Sequence, residues 1–312
     1  MSQLSSSGVF LDASTLGNDI DLTQLGELSC QCWDMTSPEQ VVERASSATY
    51  LITNKVQITE TIMLKLPKLK LICVAATGMN NVDLSAANKL GIEVKNVTDY
   101  AGTSIAQLVF SYLSELLLHT QHYANLVQQG AWSNSPHFCV FDKPFVELAG
   151  KKIGLIGYGV LAKSVERVAQ AYDMQVLISE RKGSSEVRAG RVSFEQVIEQ
   201  SDVLSIHCPL SVETENLIST PEFNKMKPSA VLVNTARGGI VNEQALLNAL
   251  FSKQISGAAT DVLTQEPPSK DHPMLINQPN NLIITPHIAW ATKEARQRVL
   301  AQVIENIRSF TG

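Results

Sequence analysis

The sequence predicts an α/β protein built on parallel sheets, and three observations carry that reading. Short apolar runs of three to five residues recur along the chain. Segments of helical apolar spacing separate most of them. The runs also fall into two series, with one long helical stretch between them. Strands that alternate with helices read as βαβ units, whose strands can only be joined in parallel by a crossover.

The first series occupies about the first hundred residues. Val9–Leu11 is a short apolar run, and Pro38 to Val42 opens a helical pattern with Ser37 as N-cap ahead of the first-turn proline. Tyr50–Thr53 and Leu71–Val74 read as buried strands, and Ile92–Val94 as a third. A continuous helical stretch is expected over about 103–128, ended by Gly130, with apolar residues dense enough for burial on more than one side. A loop of Trp, Ser, Pro, His and Phe residues follows at 132–141.

The second series begins at Lys151. Its strand candidates are Ile153–Ile156, Val176–Ile178, Val203–His207, Val231–Asn234, Gly257–Asp261 and Leu282–Thr285. A final helix follows Pro286 and belongs to neither series by itself. No internal repeat or low-complexity linker interrupts the chain.

At 312 residues, 44% hydrophobic and 18% charged, the chain has ample apolar surface for one large or two medium cores. A net charge of −5 without a basic cluster argues against nucleic acid or an anionic membrane as the main partner. An anionic substrate would have to be drawn in by a local cation. Five cysteines, an odd number without regular spacing, suggest neither a disulfide framework nor a metal site. The N-terminal residues lack the pattern of a signal peptide, and no apolar run reaches membrane-spanning length. A cytoplasmic protein is expected.

Residues 154–162, GLIGYGVLA, combine a strand end, a tight turn and the start of a helix. Gly157 would permit the turn, and Gly159 would let the backbone approach a pyrophosphate at the helix N-terminus. The third position serves helix–strand packing, where Ala162 replaces glycine by a single methyl. About 20 residues on, as a dinucleotide site requires, Glu180 ends the next strand and can accept the ribose hydroxyls of NAD. Arg181 and Lys182 follow directly and could neutralise a 2′-phosphate, so NADP stays open beside NAD.

Three later strand exits carry isolated polar residues: NTARGG with Arg237, DVLTQEP with Asp261 and Glu266, and TPHIAW with His287. Ligands of open parallel sheets bind beyond the carboxyl ends of the strands. Arginine holds a planar carboxylate by two parallel charge-assisted bonds. A carboxylate beside an imidazole stabilises the imidazolium, keeping a proton available for a carbonyl oxygen.

GYGVLA, NTARGG, DVLTQEP and TPHIAW, in this order, resemble the D-isomer-specific 2-hydroxyacid dehydrogenases over essentially the whole chain. The resemblance implies two Rossmann-like doubly wound domains. A discontinuous flavodoxin-like substrate domain would comprise 1–101 and 287–312, and a central NAD-binding domain 102–286. The crossings would lie near 103–120 and 286–292. It assigns Arg237 to the substrate carboxylate and carbonyl, His287 to general acid–base catalysis and Glu266 to its partner. Ala76, Thr77 and Gly78 match the loop whose N–H groups hold the carboxylate, and Asn54 and Lys55 face the same substrate.

For the cofactor, Gly157, Tyr158, Gly159, Val160 and Leu161 match the phosphate turn, and Glu180 with Arg181 the ribose end. Cys208 and Pro209 match an adenine wall and Thr214 a phosphate contact. Thr235, Ala236, His287 and Ala289 are assigned to cofactor binding, and Asp261 to the nicotinamide amide. LDAST, TNKV, AATGMNNVD and the 132–141 loop are most similar to the glycerate dehydrogenase (hydroxypyruvate reductase) branch. The expected reaction is therefore reversible hydride transfer between NADH and hydroxypyruvate, in a homodimer. Glyoxylate or phosphoglycerate as substrate, or an NAD-sensing co-repressor-like binding protein, are the alternatives. Gly102 departs from relatives that carry threonine there, and Ala162 from the third glycine.

Overall fold

The computed structural model describes residues 7–311. The chain divides into two compact units, one running to Tyr100 and resuming at Ala291, the other Ala101–Trp290.

In the first unit, β1 (Gly8–Phe10), β2 (Cys30–Cys32), β3 (Tyr50–Thr53), β4 (Leu71–Val74) and β5 (Glu93–Lys95) form one sheet in the order β2-β1-β3-β4-β5. Every pairing is parallel. Strands β3 and β4 are buried at every position, as strands covered on both faces must be. Leu51, Ile72 and Val74 pack with Val41, Ile58 and Ala87 from the crossovers to form the core. Gln40 Oε1 accepts the Ser37 N–H at 3.1 Å, so Ser37 starts its helical segment as expected. The final helix, Lys293–Thr311, returns to this sheet against β4. Its stripe of Ala295, Val299, Val303 and Ile307, each four residues apart, is buried.

Strand β2 was not expected. It is an edge strand, half to fully exposed, so Cys30-Gln31-Cys32 carries none of the apolar signal of a buried strand. Ile92 also lies just outside β5, which is set one residue later than predicted.

The second unit holds β6 (Lys152–Ile156), β7 (Gln175–Ile178), β8 (Val203–Ile206), β9 (Val231–Asn234), β10 (Gly257–Thr260) and β11 (Leu282–Ile284). Their order is β11-β10-β9-β8-β6-β7, again all parallel. The core gathers Leu204, Ile206 and Leu232 from the strands with Val197, Leu246 and Leu250 from the helices. In both sheets the order reverses beside the first strand, which places a topological switch point between β6 and β8 in this unit.

The stretch over 103–128 is two helices, Gly102–Leu118 and Thr120–Gln128, instead of one. His119 turns left-handed at φ 52°, and Glu115 Oε2 accepts Thr120 Oγ1 at 2.6 Å and the Gln121 N–H at 3.2 Å. The expected burial holds for the first half, where Ile105, Val109, Phe110 and Leu113 are inside, whereas the second helix buries no residue. Gly102 explains itself by contact. A Cβ there would lie 2.5 Å from Ser164 Oγ on the helix Val160–Ala171, so glycine lets these two helices meet.

The units part at 100/101 and 290/291, where sequence reading expected 101/102 and 286/287. Residues 287–290 stay with the central unit because it holds their backbone. Asp261 O accepts the His287 N–H at 2.8 Å, and Ser104 Oγ donates to Ala289 O at 2.6 Å.

Candidate active site

The residues singled out in the first unit lie where β3 and β4 end. Asn54 and Lys55 follow β3, and Ala76, Thr77 and Gly78 follow β4. Asp12, just beyond β1, organises the first loop. Its buried carboxylate accepts the N–H groups of Asn54 at 2.9 Å, Lys55 at 2.6 Å and Val56 at 3.2 Å. Burial raises this carboxyl above its usual range, and the three N–H groups oppose that rise. Sequence reasoning assigned Asp12 no role. Asp12→Ala would strand the N–H of buried Asn54 and the part-buried N–H groups of Lys55 and Val56, and is expected to destabilise by about 1–3 kcal/mol. The urea midpoint reads this loss, and an unmoved midpoint would contradict it.

In the second unit the dinucleotide motif sits at the switch point. Gly157 has φ +84°, and a Cβ there would lie 2.5 Å from Cys208 N and 2.7 Å from His207 C. Only glycine lets the turn after β6 lie against the exit of β8. At Gly159 a Cβ would meet nothing within 4 Å, so the turn opens onto free space. The helix Val160–Ala171 starts there with no side-chain cap and no acid in its first turn. Its leading N–H groups, with Val160 exposed and Leu161 half-buried, therefore remain for an anion. Ala162 is fully buried on the stripe of Val165 and Ala169. It is a packing residue of this helix.

A cavity of about 530 Å³ opens beside this turn. It gathers seven of the assigned residues: Gly157, Tyr158, Glu180, Arg181, Cys208, Pro209 and Thr214. Arg188, Arg191, Phe194 and Leu217 line it too, and sequence reasoning missed them. The signal for the two arginines was the run VRAGR, which puts Arg188 eight residues past Glu180 in a segment with no periodicity. Thr214 Oγ1 donates to Pro209 O at 2.7 Å and accepts the Ser211 N–H, which folds the loop after β8. The Glu180 side chain is 4% exposed and its two oxygens are held by Arg188, through Nε at 2.7 Å and NH2 at 2.5 Å. That guanidinium, with the Arg181 N–H, keeps the carboxyl well below the usual range.

The residues that sequence reading assigned to acid–base chemistry lie at the ends of β9, β10 and β11. Asn234 shapes the first exit, accepting the Ala236 N–H at 3.0 Å and donating to Arg237 O at 2.9 Å. Arg237 is exposed, and its guanidinium makes one hydrogen bond among the described residues, to Ala236 O at 2.7 Å. Gly238 beside it has no room for a side chain, since a Cβ would lie 2.0 Å from Leu263 C. That close approach brings the 263–266 loop over Arg237's turn. Glu266 Oε1 accepts the Leu263 N–H at 2.9 Å, and Oε2 meets His287 Nδ1 at 2.6 Å. Burial opposes ionisation of Glu266, but the bonds from His287 and Leu263, with the charges of His287 and Arg237, bring its carboxyl below the usual range. His287 is left with Nε2 facing no protein partner among the described residues.

Holding that ring takes a strained backbone, because His287 sits at φ 55°. Asp261 supports it. Its buried carboxylate accepts Thr285 Oγ1 at 2.5 Å and the N–H groups of Ile288 at 2.8 Å and Ala289 at 2.7 Å. Thr235 Oγ1, at the end of β9, is buried with no hydrogen-bond partner among the described residues. An orphaned hydroxyl there, an uncapped helix N-terminus and a glycine turn open to space together fit a dinucleotide.

The family model for the D-isomer specific 2-hydroxyacid dehydrogenase NAD-binding domain matches residues 110–289. A glycerate dehydrogenase from Methylorubrum extorquens is 42% identical to the chain over 276 residues, 88% of this chain and 87% of that one.

The chain belongs to the D-isomer-specific 2-hydroxyacid dehydrogenase family.

A hydroxypyruvate reductase from Blautia hydrogenotrophica is 36% identical to this dehydrogenase, covering 97% of this chain and 96% of that one. Among solved structures, an acyclic imino acid reductase in complex with NADPH and D-Arg superposes with a TM-score of 0.81. It is 27% identical, over 97% of this chain and 96% of that one. The dehydrogenase is thus an oxidoreductase whose NAD-binding part is the β6–β11 unit. Among its described residues no helix is long and apolar enough to cross a membrane.

Proposed function

We propose that this dehydrogenase interconverts hydroxypyruvate and D-glycerate with NAD(H). The pairing of His287 Nδ1 with Glu266 Oε2 at 2.6 Å, beside the exposed Arg237, carries the chemistry. The glycerate dehydrogenase at 42% identity and the hydroxypyruvate reductase at 36% name the two directions of one reaction, which supports the substrate.

NADH, when bound, supplies the hydride for C2 of the keto acid. Gly157 to Leu161 would hold its pyrophosphate, Glu180 and the cavity at β7 its adenosine, and Thr235 its nicotinamide side. The Arg237 fork binds the carboxylate and polarises the carbonyl. His287, protonated and steadied by Glu266, donates its Nε2 proton to the developing alkoxide. Asp261 fixes the segment that carries this histidine, and we assign it that duty before any contact with the nicotinamide amide. Asn54, Lys55 and Ala76–Gly78 are assigned to the substrate carboxylate. Exposed Phe138, Phe141 and Trp132 support the homodimer. The net charge of −5 agrees with a cytoplasmic enzyme that binds neither nucleic acid nor membrane.

Steady-state rates with hydroxypyruvate, glyoxylate, pyruvate and 3-phosphohydroxypyruvate test the substrate. The highest kcat/KM is expected for hydroxypyruvate, and preference for another of the four would refute the assignment. Glu266→Gln tests the pairing. Reduction consumes a proton, so its rate is expected to fall as pH rises. Removing the carboxylate charge destabilises the imidazolium and is expected to move that limb to lower pH. An unmoved profile would speak against the pair.

A further inference from the structure

The ribose acid, Glu180, is already saturated in this structure. A carboxylate offers about four lone-pair directions. Here Oε1 accepts the Arg181 N–H at 2.9 Å and Arg188 NH2 at 2.5 Å, while Oε2 accepts Arg188 Nε at 2.7 Å and the Arg188 N–H at 3.3 Å. An adenosine ribose with free 2′- and 3′-hydroxyls needs that carboxylate as an acceptor, so Arg188 must first let go. A ribose carrying a 2′-phosphate makes the opposite demand. It needs donors and cations, and it is repelled only by an unneutralised acid.

The cavity wall answers that demand. It carries Arg181, Lys182, Arg188 and Arg191 against two carboxylates, Glu180 and Glu213. Lys182 is engaged by Glu222 at 2.8 Å. Arg191 uses NH1 on Ser179 O at 2.9 Å, and Arg188 uses only Nε and NH2 on Glu180, so each guanidinium keeps further N–H groups. Arg188 is 56% exposed at its side chain and so reaches both the acid and solvent.

We propose that the bidentate Arg188–Glu180 pair turns this pocket into one that accepts a 2′-phosphorylated adenine dinucleotide, so that the enzyme uses NADPH as well as NADH. Arg188 is then the residue that determines cofactor choice: it cancels the repelling charge and donates to the phosphate together with Arg181 and Arg191. The proposal rests on reading this cavity as the adenosine pocket.

Calorimetric titration of the full chain with adenosine 2′,5′-bisphosphate and with 5′-AMP separates the two readings. The bisphosphate is expected to bind at least as tightly as 5′-AMP. Arg188→Ala should weaken the bisphosphate at least tenfold and strengthen 5′-AMP, because Glu180 regains acceptor sites and an exposed charge. Glu180→Gln, which preserves the side chain's volume, should tighten the bisphosphate and weaken 5′-AMP, and it serves if the Arg188 variant does not fold. The kcat/KM ratio for NADPH over NADH should move with the bisphosphate in each variant. If 5′-AMP binds while the bisphosphate is at least tenfold weaker, or if both substitutions leave both affinities unchanged, the proposal falls and the adenosine pocket stands. If neither nucleotide binds, the adenosine reading fails and takes the proposal with it.

Discussion

Replacing His287 by alanine is expected to lower kcat for hydroxypyruvate reduction by about 10²–10⁴-fold, the usual worth of a positioned general acid. The position complicates the experiment, because His287 occupies the left-handed region at φ 55° and alanine adopts it poorly. His287→Asn removes the same proton donor with a residue that tolerates that backbone. Both variants should lose activity to a similar extent. If asparagine restored near-full turnover, the histidine would be serving the loop and not the proton transfer.

Arg237 should show the second large effect. Its guanidinium makes one hydrogen bond among the described residues, to Ala236 O, which leaves its other N–H groups for a ligand. Two charge-assisted bonds to a carboxylate are worth about 1.5–3 kcal/mol each. Arg237→Ala is therefore expected to lower kcat/KM by about 10²–10⁴-fold. Arg237→Lys keeps the charge but loses the planar fork, and should recover only part of that loss. Full recovery by lysine would mean that Arg237 acts as a point charge and does not grip the carboxylate. Thermal unfolding should hardly move in either variant, since the residue is exposed.

What could be read from the sequence was whatever burial writes into composition. Strands β3, β4 and β9 were placed to the residue, because a strand covered on both faces is an unbroken apolar run. The edge strand β2 carries no such run and was missed. The dinucleotide turn and the three polar strand exits were legible because glycine, arginine and histidine stand out after apolar strands.

Features created by contact were not. His119 breaks a helix whose apolar pattern runs straight through it, and the break depends on Glu115 reaching over to the next helix. Segment 287–290 belongs to the central unit through Asp261 and Ser104, far away in sequence. The duty of Asp12 likewise exists only once β1 and β3 are neighbours. Arg188 was hidden for the same reason: only the folded loop shows that it faces Glu180.

Gly102 and Ala162 looked alike in sequence, as two departures from the family pattern. The structure separates them from the cofactor question by showing both as packing positions, one against Ser164 and one inside the helix–sheet contact.

Reduction driven by the His287–Glu266 pair is expected to be stereospecific. The product of hydroxypyruvate and NADH, resolved on a chiral column, tests it most directly. D-glycerate alone is predicted, one molecule for each NADH oxidised. L-glycerate, a racemate, or no NADH oxidation at all would contradict it.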